Sequence, residues 1–284
     1  MRVKALLLAS LVLFTGCSKS KESPPPPAPT TGTPKRGPDG TSGTAPFGIE
    51  LYTPSPDVPG PISGAIADDD RDDADRKLDA GRKPGEVLAF FKVAPGQKVG
   101  ELFAGTGYTT ELLARTLGES GKLFVQNTKE VMDKFARAPM TKRLAKPGLK
   151  NTTPYETPAE TPFPPEVKDL DVVICVLNYH DYVWQKVDRA KLNAAVLAAL
   201  KPGGIYGIVD HSAKKGSGLS DVQTLHRIDE DVVKQEIIAA GFKLDGESDV
   251  LRKPDDTRDW NASPTAAGEK RGTSDRFVLR FVKP

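Results

Sequence analysis

The sequence predicts an α/β fold: a doubly wound, mostly parallel sheet with an antiparallel last strand. Three observations predict it. From residue 98 onward, short apolar runs alternate with stretches whose apolar residues recur every three or four positions, the pattern of strands separated by helices. A glycine-rich turn at 104–107 joins the first of these runs to a helical stretch. No clear helical pattern separates the last two runs, so that pair is expected to run antiparallel.

The 284 residues suffice for one large α/β domain with appendages. At the N-terminus, Arg2 and Lys4 precede an apolar run at 5–14, and Thr15-Gly16-Cys17 sets small residues before a cysteine, the pattern of a secretory signal. The run is well short of the about 20 residues that span a bilayer. Leu13-Phe14-Thr15-Gly16-Cys17 resembles the lipobox of bacterial lipoproteins. That resemblance implies a signal peptide over 1–16, lipid on Cys17 and an exported chain held to the periplasmic or outer face of the cell envelope. Cleavage there removes two basic residues and leaves basic and acidic side chains equal, so no basic field advertises a nucleic-acid partner. Cys175 then remains the only other cysteine and cannot form an internal disulfide.

Residues 17–46 are rich in Pro, Gly, Ser, Thr and Lys and form the lipidated Cys17 and a solvated tether. An N-terminal extension covers 47–97. Within it the acidic run 68–73 reads as a solvated helix start in preference to a metal-binding loop, and 85–93 as a helix that covers the sheet. The main domain covers 98–284. Its strands are predicted over 99–103, 122–126, 170–177, 205–209, 242–244 and 277–282, and its helices over 109–117, 129–145, 189–200 and 230–240. The polar insert 252–275 reads as a loop. The Gly- and Ser-rich segment 212–225 reads as a mobile lid over a substrate, or as a plain linker.

In a sheet of this kind ligands bind outside the carboxyl ends of the strands, and there the motifs fall. Val99 to Tyr108 reads strand, acid, Gly-x-Gly turn and helix start. It resembles the first motif of class I S-adenosylmethionine-dependent methyltransferases, with a Rossmann-like fold. The lone glycine pattern is also compatible with a nicotinamide dehydrogenase, but the acid before the turn and the later motifs favour the methyltransferase. The resemblance implies S-adenosylmethionine as cofactor, Gly105 and Gly107 as glycines of close approach, and Glu101 as the acid that positions the cofactor's amino-acid end. Phe103, Ala104, Thr106 and Tyr108 then line the same wall. Phe103 stands where the family carries its first glycine. The second strand lacks the family's ribose-binding acid, leaving Gln126 or Asn127 to bind a ribose hydroxyl; Asn127 is equally placed to cap the next helix. The segment 169–181 resembles the fourth strand and catalytic loop, with Asn178 at the cofactor. Lys201-Pro202-Gly203-Gly204 before a strand is a frequent companion of the first motif. The resemblance covers about 85–284 and is nearest to exported bacterial predicted methyltransferases.

The three histidines, His180, His211 and His226, all fall at or after strand ends on the expected ligand edge. Two readings follow. In one, His180 or His211 acts as a general base for an attacking hydroxyl or amine, with Asp181, Asp210 and His226 beside it. In the other, Asp181, Asp210 and one or more histidines bind a divalent metal that acidifies the substrate hydroxyl. Both imply methyl transfer to a small oxygen or nitrogen nucleophile. A lipid-anchored binding module without the reaction, or a metal-dependent enzyme of another kind, is the alternative. Cys175 reads as an inert core thiol, and Trp260 and Tyr179 as packed aromatics in preference to stacking platforms.

Overall fold

The structure, a computed structural model, describes residues 52–284. The expected signal peptide (1–16), Cys17 and the tether (17–46) lie outside the described residues. Three helices come first: α1 (Gly60–Ala67), α2 (Asp73–Arg82) and α3 (Pro84–Phe90). Then follow β1 (Lys98–Leu102), α4 (Tyr108–Leu117) and β2 (Lys122–Asn127). Next, α5 (Lys129–Val131) continues through a π-turn (Met132–Ala136) into α6 (Arg137–Leu144). The chain goes on through β3 (Thr152–Glu156), β4 (Leu170–Val176), α7 (Tyr179–Trp184), α8 (Arg189–Ala199) and β5 (Leu200–His211). It ends with α9 (Val222–Leu225), α10 (Glu230–Ala239), β6 (Lys243–Ser248) and β7 (Arg276–Val282).

The seven strands form one sheet in the order β3-β2-β1-β4-β5-β7-β6. β7 runs antiparallel to both β5 and β6, and the other pairs are parallel. The chain winds outward from β1 in one direction and returns to β4 on its other side, so a crevice opens above β1 and β4 at their carboxyl ends. Two apolar layers follow from the alternation of side chains. Val172 and Ile174 enter one layer with Leu112 and Leu113 of α4, while Val173 and Cys175 enter the other with Tyr206 and Ile208.

The helices before residue 98 complete this core. Ile62, Val87, Leu88 and Phe91 bury themselves with Leu112, Leu113 and Leu117 on one face of α4. Buried Asp79 binds them to the first motif. It accepts two hydrogen bonds from Arg71, at 2.7 and 2.8 Å, and one from the Tyr108 hydroxyl at 2.6 Å. The acidic run is tied down as well: Asp68 and Asp70 lie 2.8 and 3.1 Å from Arg115, and Asp72 precedes α2 as its N-cap.

Differences from the sequence reading have local causes. β3 goes unseen in Thr-Thr-Pro-Tyr-Glu because it is a sheet edge with no fully buried residue, where proline is tolerated. Lys201-Pro202-Gly203-Gly204 is the irregular start of β5, where the register with β4 shifts. The expected catalytic loop after β4 becomes a short helix, α7.

Candidate active site

The site is built from the carboxyl ends of β1, β4 and β5. Above them lies a cavity of about 590 Å³, with the glycine turn at one end and His211, His226 and Asp181 at the other. Gly105 holds φ at +58°, and a Cβ built on it meets nothing within 4 Å, so its backbone faces open cavity. Gly107 has a different role: at φ +89° its Cβ would strike Cδ of Arg143 at 2.8 Å, so it lets an arginine approach and is not the close-approach glycine expected. Ala104, Thr106, Tyr108 and Phe103 line the cavity. Glu101 also reaches the wall; burial pushes its pKa up to about 7, against a 2.5 Å hydrogen bond from the Thr110 hydroxyl.

Gln126 and Asn127 correct the sequence reading. The Gln126 carbonyl oxygen accepts from the Phe103 N–H at 3.1 Å, and its amide donates to Thr157 O at 2.8 Å. Asn127 accepts from the Gly105 N–H at 2.8 Å and donates to Gly105 O at 3.1 Å. Both are buried and spent on holding the turn open, and neither lines the cavity. Thr128, not Asn127, caps the helix that follows. The carboxylate on the cavity wall beyond β2 is that of Glu130. Asn178 stands on the wall, where its amide donates to Phe103 O and Val176 O and joins the β1 turn to the β4 turn.

The three imidazoles come together. His180 and Asp181 start α7, Asp210 and His211 end β5, and His226 follows α9. His180 lies 4.2 Å from His226 and 5.9 Å from His211, ring centre to ring centre. His226 arrives because the chain after β5 folds back: Ile228 N donates to His211 O, and Ala213 N to Ile228 O. His226 itself adopts a left-handed φ of 57°, which costs a non-glycine residue about 1–2 kcal/mol.

Their roles differ from the simplest expectation. His180 is wholly buried and does not reach the cavity wall. Asp210, also wholly buried, accepts from the His180 backbone N–H at 2.8 Å and from its Nδ1 at 2.6 Å, and takes His211 N–H at 2.7 Å. Asp210 therefore positions both histidines and has no free face for substrate or metal. Burial opposes charge on His180, but Asp210 on one side and Asp181 on the other outweigh it and raise its pKa to about 10. His180 is thus held toward its charged form and, being buried away from the cavity, is not placed to act as the base. Burial would raise Asp181, but His180 and the Trp184 N–H at 2.7 Å hold it below the ordinary carboxylate range. Burial lowers His211 strongly and His226 in part, with the His180 charge adding to both and Arg276 to His211, so both stay neutral at pH 7.

Donor atoms of His180, Asp181 and His226 lie within 4.8 Å of one another. Of the expected ligands Asp210 does not join them, being engaged by the His180 backbone N–H and ring and by the His211 N–H. The His180 Nε2, 3.2 Å from Asp181, is buried without a hydrogen bond, so a cation here would have two imidazoles and one carboxylate to hold it.

The far wall comes from a segment read as a plain loop. Ser263, Pro264, Thr265 and Arg271 of the 252–275 insert close the cavity, whereas the expected lid, 212–225, contributes nothing to its lining. That segment is pinned instead by Asp229, which accepts from the N–H groups of Gly216 and Gly218. The insert is held by wholly buried Arg227, which donates to Asp256, to Trp260 O and to Ser212 O. Trp260 and Tyr179 are packing residues, with an arginine over the one and the core around the other. Arg82 and Leu78 of α2 also line the cavity, and no local pattern in the sequence marked them.

No protein-family model matches the sequence, and no curated protein matches it. Solved structures do match its fold. A methyltransferase dependent on S-adenosylmethionine from Aquifex aeolicus is 18% identical, covers 78% of this chain and 98% of its own, and superposes with a TM-score of 0.52. A putative sarcosine dimethylglycine methyltransferase from Galdieria sulphuraria is 17% identical over 83% of this chain and 94% of its own, with a TM-score of 0.54. The [4+2]-cyclase SpnF, 17% identical over 79% and 92%, reaches 0.55. The chain thus has the Rossmann-like fold shared by S-adenosylmethionine-dependent methyltransferases.

Proposed function

We propose that this protein transfers a methyl group from S-adenosylmethionine to a small oxygen or nitrogen nucleophile, with a neutral histidine as proton acceptor. The observation that carries the reading is the continuous cavity, lined by an open glycine turn and by the imidazoles of His211 and His226. The turn fits the cofactor: the Gly105 backbone faces open space, and Glu101, Asn178 and Glu130 bring polar groups to the same wall. The acid on this wall that could meet ribose hydroxyls, in place of Gln126 and Asn127, is Glu130, one oxygen of which is paired with Lys134. When bound, the cofactor supplies a methyl group on a cationic sulfur.

The chain's own groups then deal with the acceptor. His211 is fixed through its Nδ1, 2.8 Å from the Ser274 hydroxyl, and its other nitrogen has no hydrogen bond. His226, partly exposed at the wall, lies 3.5 Å from Asp181 through Nε2. The acceptor's proton, acidified as the new bond to carbon forms and the carbon–sulfur bond returns its electron pair to sulfur, would pass to one of these imidazoles. The buried His180 imidazolium keeps Asp181 ionised and both neighbours neutral. The reading includes a chain exported and anchored through lipid on Cys17, supported by residues 2–17 of the sequence, and an acceptor that is a small molecule and not a nucleic acid.

Calorimetric titration of the purified protein with S-adenosylmethionine and S-adenosylhomocysteine tests it. Binding is expected with a chelator present, and failure of both ligands to bind sinks the proposal. His211→Ala and His226→Ala should keep cofactor affinity, and the variant lacking the base should lose about 10²–10⁴-fold in rate. Cofactor binding with no S-adenosylhomocysteine formed on any acceptor tried would favour the non-catalytic binding module.

A further inference from the structure

Beside the main cavity lies a second one of about 310 Å³, which shares Leu78, Arg82, Leu177, His211, Pro264 and Arg271 with it. Its lining holds four cations, Lys77, Arg82, Arg271 and Arg276, and no acidic residue. Among the described residues none of the four forms an ion pair, although ion pairs are abundant elsewhere in the molecule, as at Arg71, Arg115, Arg143 and Arg227. Arg276 is the sharpest case. It is 3% exposed, yet it donates only to neutral oxygens, the Ser274 hydroxyl at 3.1 Å and Gly81 O at 2.8 Å. Arg82 lies with its guanidinium 4.2 Å from the Tyr108 ring centre and makes no hydrogen bond among the described residues.

Buried charges are normally paired, because an isolated one loses its hydration for nothing in return. The carboxylates nearest this cluster are committed to other partners. Asp79 holds Arg71 and the Tyr108 hydroxyl, Asp75 lies 2.6 Å from Arg143, Asp210 holds His180, and Asp275 lies 2.7 Å from Arg258. The arginines instead repel one another: burial lowers the Arg276 pKa to about 10, with Arg82 and Arg227 adding to the fall, and Arg271 acts in the same sense on Arg82. A pocket that gathers unpaired guanidinium groups at a cost to stability is complementary to an anion.

We propose that Arg82, Arg271 and Arg276 form a subsite for the anionic group, carboxylate or phosphate, of the methyl acceptor. The assignment rests on the methyl-transfer reading only in naming the ligand as acceptor; the anion site stands on the cluster itself. Two placements favour the acceptor over the carboxylate of the cofactor. The subsite's lining includes none of the glycine-turn residues 101–106, and it does include His211, one of the two neutral imidazoles. An acceptor anchored there by its anion presents its nucleophile beside His211, so the subsite also selects His211 as the proton acceptor.

The test is titration of the full chain with inorganic phosphate and with succinate, followed by calorimetry and thermal unfolding. Wild type is expected to bind at least one of them and to gain thermal stability on binding. Arg82→Met should weaken that binding about tenfold or more. Because it removes repulsion, it should also unfold at a higher temperature than wild type in anion-free buffer. Arg271→Met, on the exposed insert, is the second variant and should weaken anion binding without disturbing the core. Both residues also line the main cavity, so affinity for S-adenosylmethionine should fall, but by less than affinity for the anion. No binding of either anion, or binding equal in wild type and both variants, overturns the subsite. If Arg82→Met weakens S-adenosylmethionine at least as much as the anion, but not methylthioadenosine, which lacks the amino-acid end, the arginines hold the cofactor's carboxylate and the acceptor assignment falls. Loss of all cofactor binding with anion binding intact would instead refute the methyl-transfer reading and leave the anion site standing.

Discussion

Asp210 illustrates how much one buried carboxylate organises: it receives the backbone N–H and ring of His180 and the N–H of His211, all without solvent. Removing its charge leaves a buried imidazolium with one carboxylate neighbour in place of two. Asp210→Asn is therefore expected to lower unfolding free energy by about 3–5 kcal/mol, as breaking other buried ion pairs does, measured by urea denaturation. Stability should also depend on pH in a definite direction. The His180 pKa is raised from 6.5 in the unfolded chain to about 10 in the fold, so its contribution is complete below about pH 6.5 and is lost as pH rises toward 10. His180→Gln should remove that decline, and an unchanged slope between pH 7 and 9 would refute the ion-pair assignment. At this scale the sequence was partly legible. Three histidines at strand ends pointed to one edge, but which ring is charged depends on burial and on Asp210, set by how α7 seats against β5. Arg82, Arg271 and Arg276 carry no signal in the sequence, because the fold brings them together from three separate segments.

The elements that carry the motifs were legible in proportion to their burial. β1, β2, β4 and β5 announced themselves as apolar runs because both faces of each are covered. β3, an exposed edge, and α7, a six-residue helix in an aromatic-rich stretch, carry too little periodicity to be read. The glycine turn was legible as a turn, yet its support was not, since Gln126 and Asn127 act on it from the end of the next strand. That support makes the turn a sharp place to test the cofactor site. Gly105→Val puts a branched side chain into open cavity at a left-handed φ, and it is expected to abolish S-adenosylmethionine binding while circular dichroism stays that of a folded domain. Retained affinity would move the cofactor elsewhere. The insert 252–275 offers a second test. Arg227→Met leaves Asp256 without its guanidinium partner, so the insert should loosen, become the first site cut in limited proteolysis and weaken ligand binding. A cleavage pattern identical to wild type would show that other contacts hold it.

Across the whole molecule, the segment before residue 98 adds most to the sequence reading, since α1 and α2 join the helix expected over 85–93 against the core. Its short helices carry weak apolar patterns and read as an extension; in the fold they belong to the same compact unit as the sheet and wall the cavity through Leu78 and Arg82. Ile62, Ile66, Val87, Leu88 and Phe91 are almost fully buried against α4, and Asp79 ties α2 to the Tyr108 hydroxyl at the head of that helix. Exposing such a face forfeits about 1.5–3 kcal/mol per large apolar side chain, or on the order of 10 kcal/mol for five of them. That is as large as the entire net stability of a typical domain, about 5–15 kcal/mol. A chain beginning at residue 98 is thus expected to lose its single cooperative unfolding transition and to bind a hydrophobic dye, while a chain beginning at residue 52 unfolds cooperatively like the full protein. The comparison has a built-in control for the cavity. Asp79→Asn keeps every apolar contact but weakens the hold on Arg71 and Tyr108, so it should stay cooperative, unfold at lower temperature and bind S-adenosylmethionine less tightly. A cooperative, fully binding chain from residue 98 would show that the sheet and its own helices suffice, and that the first three helices are the appendage their sequence suggests.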